Sequence, residues 1–436
     1  VNDARRTLEL ALERLEALQQ AGFTAAEVYL KRGRSRRLDH SPDDRQNWLV
    51  REQGWAVRAG TKSGSLFCCG TGVPDPAQVW PDPLGAALQL PSVQPVQSWK
   101  PPADLDAPLL GEREGTTILD AIEAALKGEL AGARVVRAVL EDGTSSADLV
   151  SSGGVRIGDL RQRLAALRIE AEVDRPGGGL VRTRLYLAER EAKRFNPRKV
   201  ARRLADRLVA LASGRRPDRR LRDVILAPPL AAEILGALAP ALLGPRPAIV
   251  RLLDDAGRLA SPLVTLVDDG RLLGGLAEAP VDGEGMPTRA VTLVEAGVFR
   301  QSLIGYGEAP HGFEVAGNTA RPSWRDRPRL APSHLYLKPN PSLAPAKLLE
   351  DSVGAAYLLA STGAGFVDLE RDLIDLPVCG FELAREGAVP LAGARVVGKV
   401  STALRGIAAV CRDIQLIPGR GFIGSPTLLI RGLEVV

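Results

Sequence analysis

The sequence predicts an α+β protein: an N-terminal α+β domain built on an antiparallel sheet, followed by a mostly-β C-terminal domain shaped as a curled sheet or barrel. Three observations carry that expectation. The 436 residues exceed what one ordinary core accommodates. The first half alternates helix-period segments with short β-branched and aromatic runs. Beyond an arginine-rich junction near residue 216 the chain changes to many short strands punctuated by Gly, Asp and Pro. The expected division is therefore 1–215 and 216–436.

The elements follow in order. Leu8, Leu10, Leu15 and Leu18 recur at roughly helical spacing among charged residues, and Gly22 closes that surface helix, predicted over 3–20. Runs at 26–30, 48–50 and 55–58 read as an antiparallel meander, with Trp48 and Trp55 expected in the core. Nine prolines between Pro74 and Pro108 forbid a regular interior, so 71–110 is predicted to be a surface excursion. A helix at 116–130, strands near 134–140, 145–151, 164–173 and 180–187, and a basic helix over 197–213 complete this half. In the second half the apolar stretch 224–244 carries Glu233 and three prolines, which excludes a membrane span and predicts a buried strand and helix. Strands are expected near 263–267, 288–294, 335–337, 365–369, 380–383 and 427–436.

Hydrophobic residues at 45% and charged residues at 25% place the chain in the globular class. A net charge of +5 over this length is too dilute to predict a nucleic-acid partner. The basic runs at 31–37 and 215–222 read as a solvated sheet edge and a solvated linker. Cys68, Cys69, Cys379 and Cys411 have neither metal-site nor disulfide-scaffold spacing, which fits a reducing cytoplasm. His40, His311 and His334 each stand alone, without a second ligand at metal spacing. Phosphate-binding and hydrolase glycine motifs are missing from the sequence.

The most specific signal lies in the second half. Thr265-Leu266-Val267-Asp268-Asp269 precedes Gly274-Gly275-Leu276, then Val281-Asp282-Gly283-Glu284-Gly285-Met286-Pro287-Thr288-Arg289 and Val294-Glu295-Ala296-Gly297-Val298. Ala316-Gly317-Asn318-Thr319-Ala320-Arg321 and a closing Pro426-Thr427-Leu428-Leu429-Ile430 follow. Read alone, these are turn residues, or in Asp282 and Glu284 a pair of acids sharing one face of a strand. In this order they resemble the TldD/PmbA peptidase family over residues 220–436.

The catalytic branch of that family carries HExxxH on a helix after a strand resembling Val224-Ile225-Leu226, with a late Cys as third ligand. Two His bind zinc while the Glu handles the proton of the attacking water. A gapless match from Val224 places Gly236, Ala237 and Ala241 at the three functional positions, and 418–422 contains no Cys. The resemblance is therefore to the TldE/PmbA branch. It implies a chain with no catalytic residue, metal ligand or cofactor of its own, zinc in a TldD-like partner subunit of a heterodimer, and unfolded or leader peptides as substrate. It also implies that Asp282, Glu284, Arg289, Asn318 and Arg321 line or brace the peptide channel. A homodimeric peptide-binding module without catalysis and an independent hydrolase with an unrecognised site are the alternatives.

Overall fold

In a computed structural model the protein is described at residues 2–62, 64–72, 87–92, 103–309, 315 and 317–436. Much of the proline-rich 71–110 excursion lies outside the described residues, as do His311 and Ala316.

Helix α1 (Asn2–Gln20) leads into β1 (Ala25–His40), β2 (Arg45–Thr61) and β3 (Gly64–Gly70). Helix α2 (Glu112–Glu129) precedes the long strands β4 (Arg134–Ser151), β5 (Arg156–Asp174) and β6 (Leu180–Glu189), and α3 (Pro197–Ser213) ends this half. The six strands form one antiparallel half-barrel in the order β3-β2-β1-β4-β5-β6. Even positions of β1 (Val28, Leu30, Leu38) face the helices: the first two join Ala11, Leu15 and Leu18 of α1, and Leu38 joins Ile122 and Leu126 of α2 and Leu204 and Leu208 of α3. Helix α3 begins where the sequence predicts because Asn196 Oδ1 accepts the Lys199 N–H at 3.1 Å and Pro197 occupies the first turn.

Two expectations change. The runs at 48–50 and 55–58 are one strand, as are those at 134–140 and 145–151, because backbone pairing continues through stretches whose side chains are polar or exposed on both faces. The basic run at 31–37 is not a sheet edge: β1 lies between β2 and β4, and its cations reach partners such as the Pro322 carbonyl, 2.7 Å from Lys31 Nζ.

The second half begins with β7 (Leu221–Leu226) and α4 (Pro228–Leu238). Strands β8 (Leu266–Asp269), β9 (Ala290–Glu295), β10 (Val298–Phe299), the short pair β11 (Thr319–Ala320) and β12 (Arg329–Leu330), and β13 (His334–Leu337) follow. After α5 (Pro345–Asp351) come β14 (Ala356–Ser361), β15 (Phe366–Asp368), β16 (Leu373–Ala384) and β17 (Gly387–Gly398). Helix α6 (Val400–Arg405), β18 (Ile407–Val410), β19 (Gln415–Gly419), β20 (Gly421–Ser425) and β21 (Leu428–Val435) complete the chain. Strands β14, β7, β21, β17 and β16 close into a barrel through the β14–β16 pairing. A second sheet runs β10-β9-β8-β13-β20-β19. The barrel-like C-terminal form read from the sequence is thus the observed one.

Leu167 of β5 is fully buried in the core shared with α2 and α3. Leu167→Ala should cost about 2–5 kcal/mol in chemical denaturation; an unchanged midpoint would mean that the helices do not pack on this sheet.

Candidate functional site: an open channel and a buried seam

The half-barrel face opposite the helices is left open. It walls a cavity of about 490 Å³ lined in part by Lys31, Ser35, Val50, Leu164, Tyr186 and Trp324. A second groove of about 510 Å³ runs between β6 and α3 on one side and α4 and β19 on the other. Tyr186 and Leu276 line both, so the two adjoin at these side chains and together are referred to as the channel. The register places Trp48, Val50, Leu164 and Tyr186 on this same face, each more than a third exposed. Trp48 is therefore a surface residue rather than the core residue expected, whereas Trp55 is buried. Arg168 lies over the Tyr186 ring at 5.0 Å and Arg37 over Trp48 at 5.9 Å, so cations and aromatic faces alternate along the channel wall. Strands β6 and β19 end their sheets and approach across the groove without pairing.

Next to the channel, the two halves are joined by buried charges. Glu27 of β1 accepts from Arg58 Nη2 at 2.5 Å and from Arg321 Nη1 at 2.7 Å, and Arg58 Nη1 donates to Glu284 at 2.8 Å. Arg321 also stacks on Tyr29 at 4.0 Å. Thr319 ties in both remaining acids, its hydroxyl donating to Glu284 at 3.1 Å and its N–H to Asp282 at 3.0 Å. Burial pushes the Glu27 carboxyl up, but the two guanidinium groups outweigh it and hold the group below its ordinary value. Two carboxylates and two guanidiniums balance, the condition under which buried charge is tolerated.

The structure thus brings together Asp282, Glu284, Asn318 and Arg321. Asp282 and Glu284 do not share a strand face as expected. They sit in a turn where Asp282 Oδ1 accepts the N–H groups of Glu284 and Met286, each at 2.9 Å. Asn318 donates to buried Asp268, while Arg289 is half-buried just before β9. Burial pushes both Asp268 and Asp282 up to about 7. Sequence reasoning did not assign Glu27 or Arg58 to the site. The available signal was a charged residue inside the apolar runs Ala26-Glu27-Val28-Tyr29 and Ala56-Val57-Arg58. Gly54 is likewise required, because a Cβ there would lie 2.2 Å from the Trp324 indole that caps the channel.

At the positions matched to HExxxH, Gly236 and Ala237 lie on α4, and Ala241 lies in the tight turn that follows. Pro240 has no N–H to offer the Gly236 carbonyl, so the α-helix ends before the third position. The Ile423 Cγ1 atom sits 3.5 Å from where a Gly236 Cβ would be and 3.4 Å from that of Gly419, filling the space between helix and hairpin with hydrocarbon. Glycine, alanine and isoleucine present no lone pair, so these residues do not fit a zinc ion.

Other candidates are accounted for. His334 is buried, with Nε2 accepting the Ala277 N–H at 2.9 Å and Nδ1 donating to the Asp269 carbonyl at 2.6 Å; both nitrogens are engaged. His40 is half-buried at the end of β1. Burial raises the thiols of Cys379 and Cys411 to about 11, so both stay protonated at neutral pH. Among the described residues no helix is long and apolar enough to cross a membrane.

Comparison with known proteins follows the same lines. The sequence model of the PmbA/TldA metallopeptidase C-terminal domain matches residues 219–436. The chain is 27% identical over 165 residues to Metalloprotease MJ0996 of Methanocaldococcus jannaschii, covering 37% of this chain and 36% of that one. It is 24% identical over 175 residues to the Metalloprotease TldD homolog of Buchnera aphidicola, covering 38% and 35% respectively. Each match therefore spans little more than a third of the relative. The crystal structure of TldE from Thermococcus kodakarensis shares the fold at a TM-score of 0.85 and 15% identity, covering 98% of this chain and 100% of that one.

Two measurements test the seam. Arg58→Ala leaves Glu27 with Arg321 alone and Glu284 with only the Thr319 hydroxyl, and should cost about 3–5 kcal/mol in chemical denaturation; a cost near zero would mean the pairs are solvated. Asp268 binds its proton more tightly folded than unfolded, so its contribution to stability declines as pH rises from the ordinary 3.8 to about 7. Asp268→Asn should flatten that decline in thermal midpoints taken across the interval, and an unchanged slope would contradict it.

Proposed function

Since the chain belongs to the PmbA/TldD metallopeptidase family, we propose that it is the subunit without zinc of a two-subunit zinc peptidase. A TldD-like partner holds the metal, and this chain shapes the channel in which unfolded or leader peptides lie extended. The observation that carries the reading is that Gly236, Ala237 and Ala241 stand where the catalytic branch has its HExxxH residues, with Ile423 lying against Gly236. The fold-level likeness to TldE from Thermococcus kodakarensis supports it.

Each residue class has a part in this reading. The edge of β6, unpaired with another strand among the described residues, offers backbone donors and acceptors to an extended chain, which accepts any sequence without proline at the paired positions. Val50, Leu164 and Tyr186 receive apolar side chains, and the buried seam keeps the channel walls at fixed separation. Proton transfer and water activation belong to the partner. The four cysteines are free thiols, in keeping with work in the cytoplasm.

Cleavage of an unstructured peptide by this chain, by a TldD-like subunit and by both together tests the proposal. Activity that requires both, and that a chelator abolishes, is the expected result. Zinc-dependent cleavage by this chain alone, or full activity of the partner without it, would contradict the reading, the latter in favour of a peptide-binding module.

A further inference from the structure

The groove between α3 and β19 carries a charge pattern that backbone recognition does not need. Lys199, Arg203 and Arg207 recur every four residues along α3 and all line the groove, forming a cationic stripe along one face of the helix. Arg194 also lines the groove but is paired with Asp104 at 3.4 Å and Glu191 at 3.8 Å, so the three cations of the stripe stand against the two groove carboxylates of Glu189 and Glu233. Glu233 is already engaged by the Ser361 hydroxyl at 2.8 Å.

Cations elsewhere on the same helix are treated differently. Arg202, which does not line the groove, meets Asp206 at 3.3 Å and Glu129 at 3.4 Å. Arg207 instead donates to the Arg184 carbonyl at 2.7 Å, and Glu189 is the carboxylate facing Arg203. Arg203 and Arg207 are half-buried, and burial lowers both guanidiniums from their ordinary value although Glu189 acts on Arg203 and Glu233 on Arg207; both stay charged. Spacing adds to this. Alternate residues of an extended strand are about 6.6 Å apart, close to the rise of about 6 Å between helix positions four apart.

Resting on the peptide-channel reading above, we propose that this stripe selects peptides bearing carboxylates at alternate positions. The acids face Lys199, Arg203 and Arg207 while the peptide backbone lies along the sheet edge. The groove volume of about 510 Å³ is in the range of specific ligand sites.

Fluorescence anisotropy of the full chain with two labelled peptides of equal length provides the test, one with Glu at alternate positions and the other with Gln at the same ones. The Glu peptide should bind about tenfold tighter at low salt, with the advantage shrinking as salt rises. Arg203→Gln with Arg207→Gln should bring the two peptides to parity and leave the Gln peptide unchanged. The exposed Lys199→Gln, which does not bear on folding, should reduce the preference in part. Equal binding of both peptides by the unmodified chain overturns the selectivity while leaving the channel reading intact. Binding of neither overturns both.

Discussion

The fold depends on one buried junction. Glu27 accepts from two guanidiniums, one from its own sheet and one from the other half of the chain, and Arg58 reaches back to Glu284. Neither charge pair is stable in a dry interior unless all members are present, since each carboxylate or guanidinium left alone would carry its full desolvation cost. The junction therefore holds the half-barrel and the C-terminal sheets in one relative placement. Trp324 lying on Gly54 adds a steric constraint to the electrostatic one. The channel is the space these contacts leave open.

The same economy explains α4. In a metal-binding helix the ligand positions must face open space and the helix must run through all of them. Here Pro240 ends the helix early and Ile423 fills the gap to the hairpin, so the element serves as a wall. The polar side chains of the chain gather instead in the seam between the halves, and on α3 and the channel wall, where cations stand beside aromatic rings.

Legibility in the sequence followed the range of the interactions. Helix α3 was readable to the residue because its cap, Asn196-Pro197, is local. The barrel character was readable from turn chemistry, and the ordered motifs identified the family. The long strands were not, because Arg34 to Arg37 and Trp48 to Val50 carry no apolar alternation to mark a pairing that only the neighbouring strands supply. Asp282, Glu284, Asn318 and Arg321 stood out by resemblance, but their partners Glu27 and Arg58 lie more than 200 residues away in sequence. The closure of β14 on β16 and the β19–β20 hairpin likewise depend on contacts with no local signature.

The central claim of the proposed function is that this chain does not itself hold zinc. Anomalous scattering at the zinc edge from crystals grown of the chain mixed with a TldD-like subunit, the proposed partner, tests it most directly. The account predicts one zinc peak per pair, on the partner's residues, and no peak between α4 and the β19–β20 hairpin. A zinc peak beside Gly236 and Ile423 would contradict it.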